Sequence, residues 1–464
     1  NTRIHLVNWT DSVPTDTTLS VDVRAHNTDI NSGSWVGVSN GGDPGSAASG
    51  RYIQYRTKLN SDDARSSPAF DSIIITYTSP PPAPDNVIGT VESTSKITWT
   101  WQDNSSGQSQ EDGFRIMDAT GTERLALGPD TTTGAETALS ANTECERYIQ
   151  AYNIAGSSDS TALIRWTLPA LPNVTSDKSV NTWYPQGSTF TFFNAAGFGE
   201  GGVEYYRIVW DTNVTHTWTD TETQWASGNL ELTPGQTGNY YLHVKSFNGE
   251  GVSNGTDTYG VYKYEHDLPA IDSFSPSSFS WTNANVSVDV ALSDTGGSDL
   301  MQVRDQWTNS IDKPSSGWSV WDTTISGPSD MVTRSNSSEG TWYLHIEVED
   351  GAGNMSYAYS GPYNIDVTSP TGSIIINNND SYTSTTTVTL SLTFNDTTSG
   401  VEMVSYRNNG QSWTPWEVPS STRAWNLTSG DGVKTVEYRI RDNAGNISQT
   451  YADTITPVSY THLR

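Results

Sequence analysis

Asp350-Gly351-Ala352-Gly353-Asn354 closes one alternating stretch of the chain, and Asp442-Asn443-Ala444-Gly445-Asn446 closes another further along. A turn motif that recurs at about a domain's length marks repeated modules. Working outward from it, Gly340-Thr341-Trp342-Tyr343-Leu344-His345-Ile346 aligns with Gly238-Asn239-Tyr240-Tyr241-Leu242-His243-Val244, which puts Asn248 where Asp350 stands. Upstream, Trp318-Ser319-Val320-Trp321 matches Trp413-Thr414-Pro415-Trp416, and Trp218 with Trp225 is a looser version. The joints match too: Asp267-Leu268-Pro269, Asp366-Val367-Thr368-Ser369-Pro370 and Asp453-Thr454-Ile455-Thr456-Pro457 each close a strand. Three successive modules follow, at 169–267, 268–367 and 368–457.

The modules read as β-structure. Thr387 to Phe394 alternates polar and apolar with period two, as a strand with one buried face must, and Trp342 to Val348 and Val436 to Ile440 do the same. No window carries apolar residues at helical spacing. Gly (39) and Pro (21), with abundant Ser, Thr, Asn and Asp, punctuate the strands at the intervals expected of sandwiches. At 464 residues, 34% hydrophobic and 16% charged, the chain suits several small cores better than one large one.

A formal charge of −28 repels nucleic acid and anionic lipid, so nucleic-acid partners are excluded. Cys145 is the single cysteine, so no intrachain disulfide holds the modules. No apolar run reaches 18 residues, and no membrane insertion is expected of this stretch. The chain opens at Asn1 without a signal-like segment, and both ends are expected to be cut. Val458 to Arg464 breaks the module pattern and resembles the translation of a sequencing adapter, so 458–464 is expected to be an artefact.

Residues 80–168 open with Pro80-Pro81-Pro82-Ala83-Pro84, a stiff extended linker. Lys96-Ile97-Thr98-Trp99-Thr100-Trp101, Leu139 to Cys145, and Tyr148 to Asn153 with Gly156-Ser157 make this segment resemble a fibronectin type III domain. The resemblance implies a core Trp strand and a corner tyrosine whose hydroxyl bonds back to nearby backbone, a position that falls here on Cys145. A thiol there packs as a small hydrophobe. The later modules resemble bacterial immunoglobulin-like repeats, through Ser399-Gly400-Val401, Tyr406, Trp413, Trp416 and Asp442 to Asn446 in the last copy and Gly296-Gly297, Trp307, Trp318, Trp321 and Asp350 to Asn354 in the one before. The copy at 169–267, with Tyr205 to Trp210, diverges most. Residues 1–79, with strands at Thr18 to Arg24, Arg51 to Arg56 and Ser72 to Tyr77, resemble the later part of a jelly-roll-like sandwich. The expected fold is therefore an all-β tandem array of immunoglobulin-like and fibronectin type III β-sandwiches, preceded by a partial jelly-roll-like one.

The Asp-x-Ala-Gly-Asn turns and the linker acids Asp267 and Asp366 suggest calcium, but each loop offers one carboxylate where six or more oxygens are needed, and Gly with Asn is what a tight turn requires. The expectation is a turn, with no cofactor and no metal site assigned. The 17 Trp and 22 Tyr suggest sugar stacking, yet a position refilled in module after module reads as core, with one Trp of each repeated pair buried and the other over the sheet edge. His243 and His345 occupy equivalent strand positions and read as structural. No nucleophile or acid–base pair forms a motif, so no catalytic residue is assigned. Asn213, Asn336 and Asn426 head Asn-x-Ser/Thr triplets that an Asn- and Thr-rich chain generates by chance. The functional expectation is a non-catalytic stalk or spacer of a bacterial extracellular or cell-surface adhesin-like protein; the alternative is accessory modules of a secreted carbohydrate-active enzyme. Expected partners are neighbouring modules of the same chain and, for an adhesive role, surface glycans or host protein. At ~3.3 Å per strand residue, modules of roughly 35–40 Å would make a rod of about 150–200 Å.

Overall fold

A computed structural model describes residues 2–29, 31–45 and 48–458; the expected adapter segment lies outside them save for Val458. The described residues form strands and turns and include the single-turn 3-10 segments Gly107–Ser109 and Asn377–Asn379, with no α-helix among them. The architecture is an all-β tandem array of sandwiches. The chain divides into two units, residues 1–178, 190–232 and 241–260, and residues 179–189, 233–240 and 261–464.

In the first unit, the opening sandwich pairs Thr2–Ser12 with Ser49–Gly50 and Ala69–Thr78 in one sheet, and Thr17–His26 with Val36–Val38 and Tyr52–Ser61 in the other. Ile4, Val7, Val21 and Val23 meet between the sheets. The next sandwich sets Asp85–Ser93, Lys96–Gln102 and Thr133–Glu136 against a sheet of Gly113–Asp118, Glu123–Leu127, Glu144–Asn153, Gly156–Asp159 and Leu163–Trp166. Inward residues of both sheets, Ile97, Trp99, Trp101, Phe114, Ile116, Cys145 and Ile149, share one core. Cys145 is fully buried, as a core residue should be. Further along, Val174–Ser176, Phe190–Asn194 and Leu230–Leu232 make a three-stranded sheet, and Tyr205–Asp211 pairs with Thr223–Trp225 and with Tyr241 to Phe247.

In the second unit, Trp183–Tyr184 runs parallel to Lys263 and Tyr264. Two sandwiches of one design follow. Ala270–Ser275, Val286–Ser293 and Ser329–Asn336 form one sheet, and Phe279–Thr282, Met355–Ile365, Gly340–Asp350 and Leu300–Thr308 the other. The last sandwich repeats this with Thr371–Ile376, Thr387–Asn395 and Thr422–Asn426 against Tyr382–Thr383, Tyr451–Pro457, Lys434–Asp442 and Val401–Asn408. In each, a short second strand crosses over and pairs parallel with the final strand.

Period-two alternation explains the cores. Val286, Val288, Val290 and Leu292 are buried while Ser287 is exposed, and Val388, Leu390 and Leu392 alternate with exposed threonines. Fully burying such a side chain contributes about 1.5–3 kcal/mol, so each sandwich stabilises itself. The large buried rings of these last two cores are Tyr363, Tyr406 and Tyr438. The repeated tryptophans are not among them: Trp318, Trp321, Trp413 and Trp416 are all half-buried on the outer face, which corrects the expectation of one core Trp per pair.

Candidate metal centres

The strand Gly340–Asp350 turns into Met355–Ile365 through Asp350 to Asn354, where Gly353 at φ +95° takes a conformation that side chains resist. Asp350 Oδ1 accepts the N–H groups of Ala352 (2.9 Å) and Asn354 (2.8 Å). Asn354 Nδ2 then donates to Asp350 Oδ2 at 2.9 Å and to Asp267 O at 3.2 Å, pinning the incoming linker. The later copy does the same: Asn446 Nδ2 donates to Asp442 Oδ2 and to Asp366 O, both at 2.8 Å.

Folding adds two more carboxylates to each turn. The linker supplies Glu265, and the loop after Val286–Ser293 supplies Asp294, so Glu265, Asp294 and Asp350 gather with carboxylate oxygens within 4.8 Å of one another. Asp366, Asp396 and Asp442 gather within the same distance in the next sandwich. Glu265, Asp350, Asp366 and Asp442 are fully buried, Asp294 is 4% exposed and Asp396 is half-buried. Basic side chains of these sandwiches pair elsewhere, Arg304 with Glu347, Arg334 with Asp305 and Asp322, and Arg441 with Glu402. Two unit charges 4.8 Å apart repel by about 3 kcal/mol at an effective dielectric near 20. Burial, with the neighbouring carboxylates Asp294 and Asp350, pushes Glu265 above its ordinary range; burial first and then Asp294 raises Asp350, and burial first and then Asp366 and Asp396 raises Asp442.

Hydrogen bonds satisfy only part of these groups. Glu265 Oε2 accepts Ser298 N–H at 3.0 Å and Asp294 Oδ1 accepts Gly296 N–H at 3.2 Å. Glu265 Oε1 and Asp294 Oδ2 accept none from the described residues. Glu265 Oε1 lies 1.2 Å from where a Cβ on residue 296 would stand, so only glycine fits there. In the later cluster Ser399 N–H donates to Asp366 Oδ2 (3.0 Å) and Asp396 Oδ1 (2.9 Å), while its buried hydroxyl has no partner among the described residues.

Two contrasts sharpen the picture, both in the first unit. The equivalent positions of the earlier repeat are neutral. Asn248 Oδ1 accepts Glu250 N–H (3.1 Å) and Val252 N–H (2.7 Å), Asn248 Nδ2 donates to Thr167 O (3.0 Å), and Asn194 Oδ1 accepts Ala196 N–H (2.9 Å). The turn therefore forms without a carboxylate. Asp103, Glu111 and Asp130 also gather, but Ser105 Oγ and Gln110 Nε2 donate to Glu111 Oε2, and Asp130 N–H donates to its Oε1. Burial acts to raise Glu111, and these bonds outweigh it and hold the group below its usual range.

Of the residues singled out in the sequence, Asp366 joins a cluster and Asp267 does not; the Asp267 carboxylate accepts Thr237 Oγ1 at 2.6 Å. Glu265, Asp294 and Asp396 carried no local signal. His243 and His345 are buried and held on both ring nitrogens, His345 by Tyr357 OH (2.8 Å) and Ser310 O (2.9 Å). The tryptophan pairs clamp arginines: Arg439 lies 4.3 Å from the Trp413 ring and 4.6 Å from Trp416, and Arg304 lies 5.0 Å from Trp318 and 4.4 Å from Trp321. The corner position filled by Cys145 carries Tyr240 and Trp342 in the next two repeats. There Tyr240 OH donates to Gln236 O at 3.0 Å and Trp342 Nε1 to Ser338 O at 2.8 Å.

No family model and no curated protein matches this chain. Among solved structures it is similar to the fibronectin(III)-like modules of Clostridium thermocellum CbhA, at 14% identity over 42% of this chain and 97% of that one, TM-score 0.23. It is also similar to a two-domain fibronectin type III segment of chicken tenascin, at 16% identity over 39% and 99%, TM-score 0.28. A D1–D4 ectodomain fragment of ICAM-5 matches at 11% identity over 79% and 96%, TM-score 0.35.

Proposed function

We propose that the chain is a non-catalytic, multi-domain spacer from a bacterial extracellular or cell-surface adhesin-like protein, its modules at 1–79, 80–168, 169–267, 268–367 and 368–457. The observation that carries this reading is the recurrent pinning of linker backbone by the turn asparagine of the following sandwich. Asn153 Nδ2 donates to Ser79 O (2.7 Å), Asn248 Nδ2 to Thr167 O (3.0 Å), Asn354 Nδ2 to Asp267 O (3.2 Å) and Asn446 Nδ2 to Asp366 O (2.8 Å). Linkers held this way resist bending, which a spacer needs and an independent binding domain does not. Further bonds reinforce them: Gly249 N–H donates to Asn142 Oδ1 (3.0 Å), and Glu339 accepts the hydroxyls of Thr368 (2.7 Å) and Thr398 (2.5 Å). Sugar recognition by the repeated tryptophans finds no support, because guanidinium groups cover the rings that would stack on a pyranose.

Small-angle scattering of the whole chain tests the proposal. A single globule of this length would have a radius of gyration near 23 Å. Modules strung over about 150 Å would give more than about 40 Å, from the same strand geometry that sets module length. A value near that of the globule would sink the spacer reading.

A further inference from the structure

Three carboxylates within 4.8 Å, all but Asp396 buried, met twice at the same place in two successive sandwiches, need a reason to be charged. Turn formation is not that reason. Asn248 and Asn194 make the same backbone bonds in the earlier repeat with neutral side chains, and the linker there, Trp166-Thr167-Leu168, has no acid. The positions change together: neutral in that repeat, acidic in both later ones. Like-charge repulsion would favour asparagine at each position unless a positive group lies among the acids, and Arg304, Arg334 and Arg441 of these sandwiches pair with other carboxylates. A second, independent observation concerns the atoms left over. Glu265 Oε1 and Asp294 Oδ2, on side chains at least nine-tenths buried, accept no hydrogen bond from the described residues, and they belong to the carboxylates that converge. In the later cluster the leftover atom is the Ser399 hydroxyl, 9% exposed, whose own N–H bridges Asp366 and Asp396. Buried polar atoms without partners are rare in folded proteins.

The geometry points to two binding sites for a divalent cation of the calcium class, one at Glu265, Asp294 and Asp350 and one at Asp366, Asp396 and Asp442. Each ion joins three chain segments: the incoming linker, the loop after Val286–Ser293 or Thr387–Asn395, and the Asp-x-Ala-Gly-Asn turn. Oxygen-only donors suit hard cations. Side chains already tied to backbone amides leave an irregular shell, which calcium accepts at six to eight oxygens and magnesium, with its strict octahedron, does not. Binding therefore locks each of these two linkers to the sandwich that follows it, while the Asn248 joint holds by neutral hydrogen bonds and needs no ion. The inference is independent of the spacer reading, since a compact chain could bind both ions equally well.

The test is calorimetric titration of the whole chain, stripped with chelator and dialysed, with CaCl2 and separately with MgCl2. Two calcium ions per chain are expected, with magnesium at least tenfold weaker. Asp294→Asn should remove one ion, Asp396→Asn the other, and the double variant both; asparagine keeps the turn bonds, as Asn194 shows. Gly296→Ala displaces the Glu265 carboxylate without altering charge and should weaken the first site at least tenfold. Hydrogen exchange with and without calcium adds a readout of position: the turns at Asp350 to Asn354 and Asp442 to Asn446 should gain protection, and Asn248 to Val252 should not. No calcium binding, binding undiminished in the double variant, equal affinity for magnesium, or protection that also covers the Asn248 turn would each overturn the inference.

Discussion

The buried pair Glu136 and Arg147 in the fibronectin-like sandwich offers a quantitative check on how that core is held. Arg147 Nε donates to both Glu136 oxygens at 3.0 Å, and Trp99 Nε1 donates to Glu136 Oε2 at 2.7 Å. Each charged side chain is 6% exposed. Charges about 4 Å apart attract by about 4 kcal/mol at an effective dielectric near 20. Removing one partner strands the other in the core, at a cost of about 3–5 kcal/mol. Glu136→Gln keeps an acceptor for Trp99 but abandons the guanidinium; Arg147→Met leaves the carboxylate with Trp99 alone. The double replacement Glu136→Gln with Arg147→Met removes both charges and should lie within about 1 kcal/mol of the parent. Peptide-resolved hydrogen exchange of the whole chain is the suitable assay, since a multi-domain chain has no single unfolding free energy. Amides of Glu144–Asn153 should lose roughly 100- to 4,000-fold protection in either single variant, at 1.4 kcal/mol per tenfold. Those of Gly340–Asp350 should not change. Single variants that lose less than tenfold, or a double variant as damaged as the two singles combined, would refute the reasoning.

The arginine clamp and the carboxylate clusters carry two more expectations. Arg439→Ala should loosen the last sandwich by about 1–3 kcal/mol, since its guanidinium covers two rings, and Arg439→Lys should recover less than half because an ammonium cannot stack flat; exchange of Val401–Asn408 reads both. Because burial raises Glu265, Asp350 and Asp442, the native fold binds protons there at pH values where the unfolded chain is ionised. Without calcium, these groups' contribution to stability should therefore grow as pH falls from 7 through their raised values, and stop growing in the ordinary carboxylate range. Salt-bridged acids with lowered values, such as Asp22 and Asp322, work in the opposite sense. The measurable quantity is the difference in hydrogen-exchange protection of Gly340–Asp350 and Lys434–Asp442 between the parent and Asp294→Asn/Asp396→Asn, which should narrow on acidification; a constant difference would contradict the assignment.

Strands, turns and repeat order were legible in the sequence because each is written in neighbouring residues. The alternation of Thr387 to Phe394 is a property of one pleated backbone, and Gly353 and Gly445 sit where that backbone must adopt positive φ. Recurrence of Trp413 and Trp416 showed that the positions matter but not which way the rings face. Their clue was in the strands: Arg407, Arg439 and Arg441, outward partners along two adjacent strands, lie against these rings. The acidic clusters were hidden for a different reason. Glu265, Asp294 and Asp350 stand far apart in sequence, and only the order of strands through the two sheets brings their loops to one end of a sandwich. By itself the sequence determined an all-β chain of repeated modules, since side-chain period and turn chemistry act over a few residues. Tertiary structure alone decided where charge gathers and which rings stay outside, because both depend on loops that meet only after the sheets have paired.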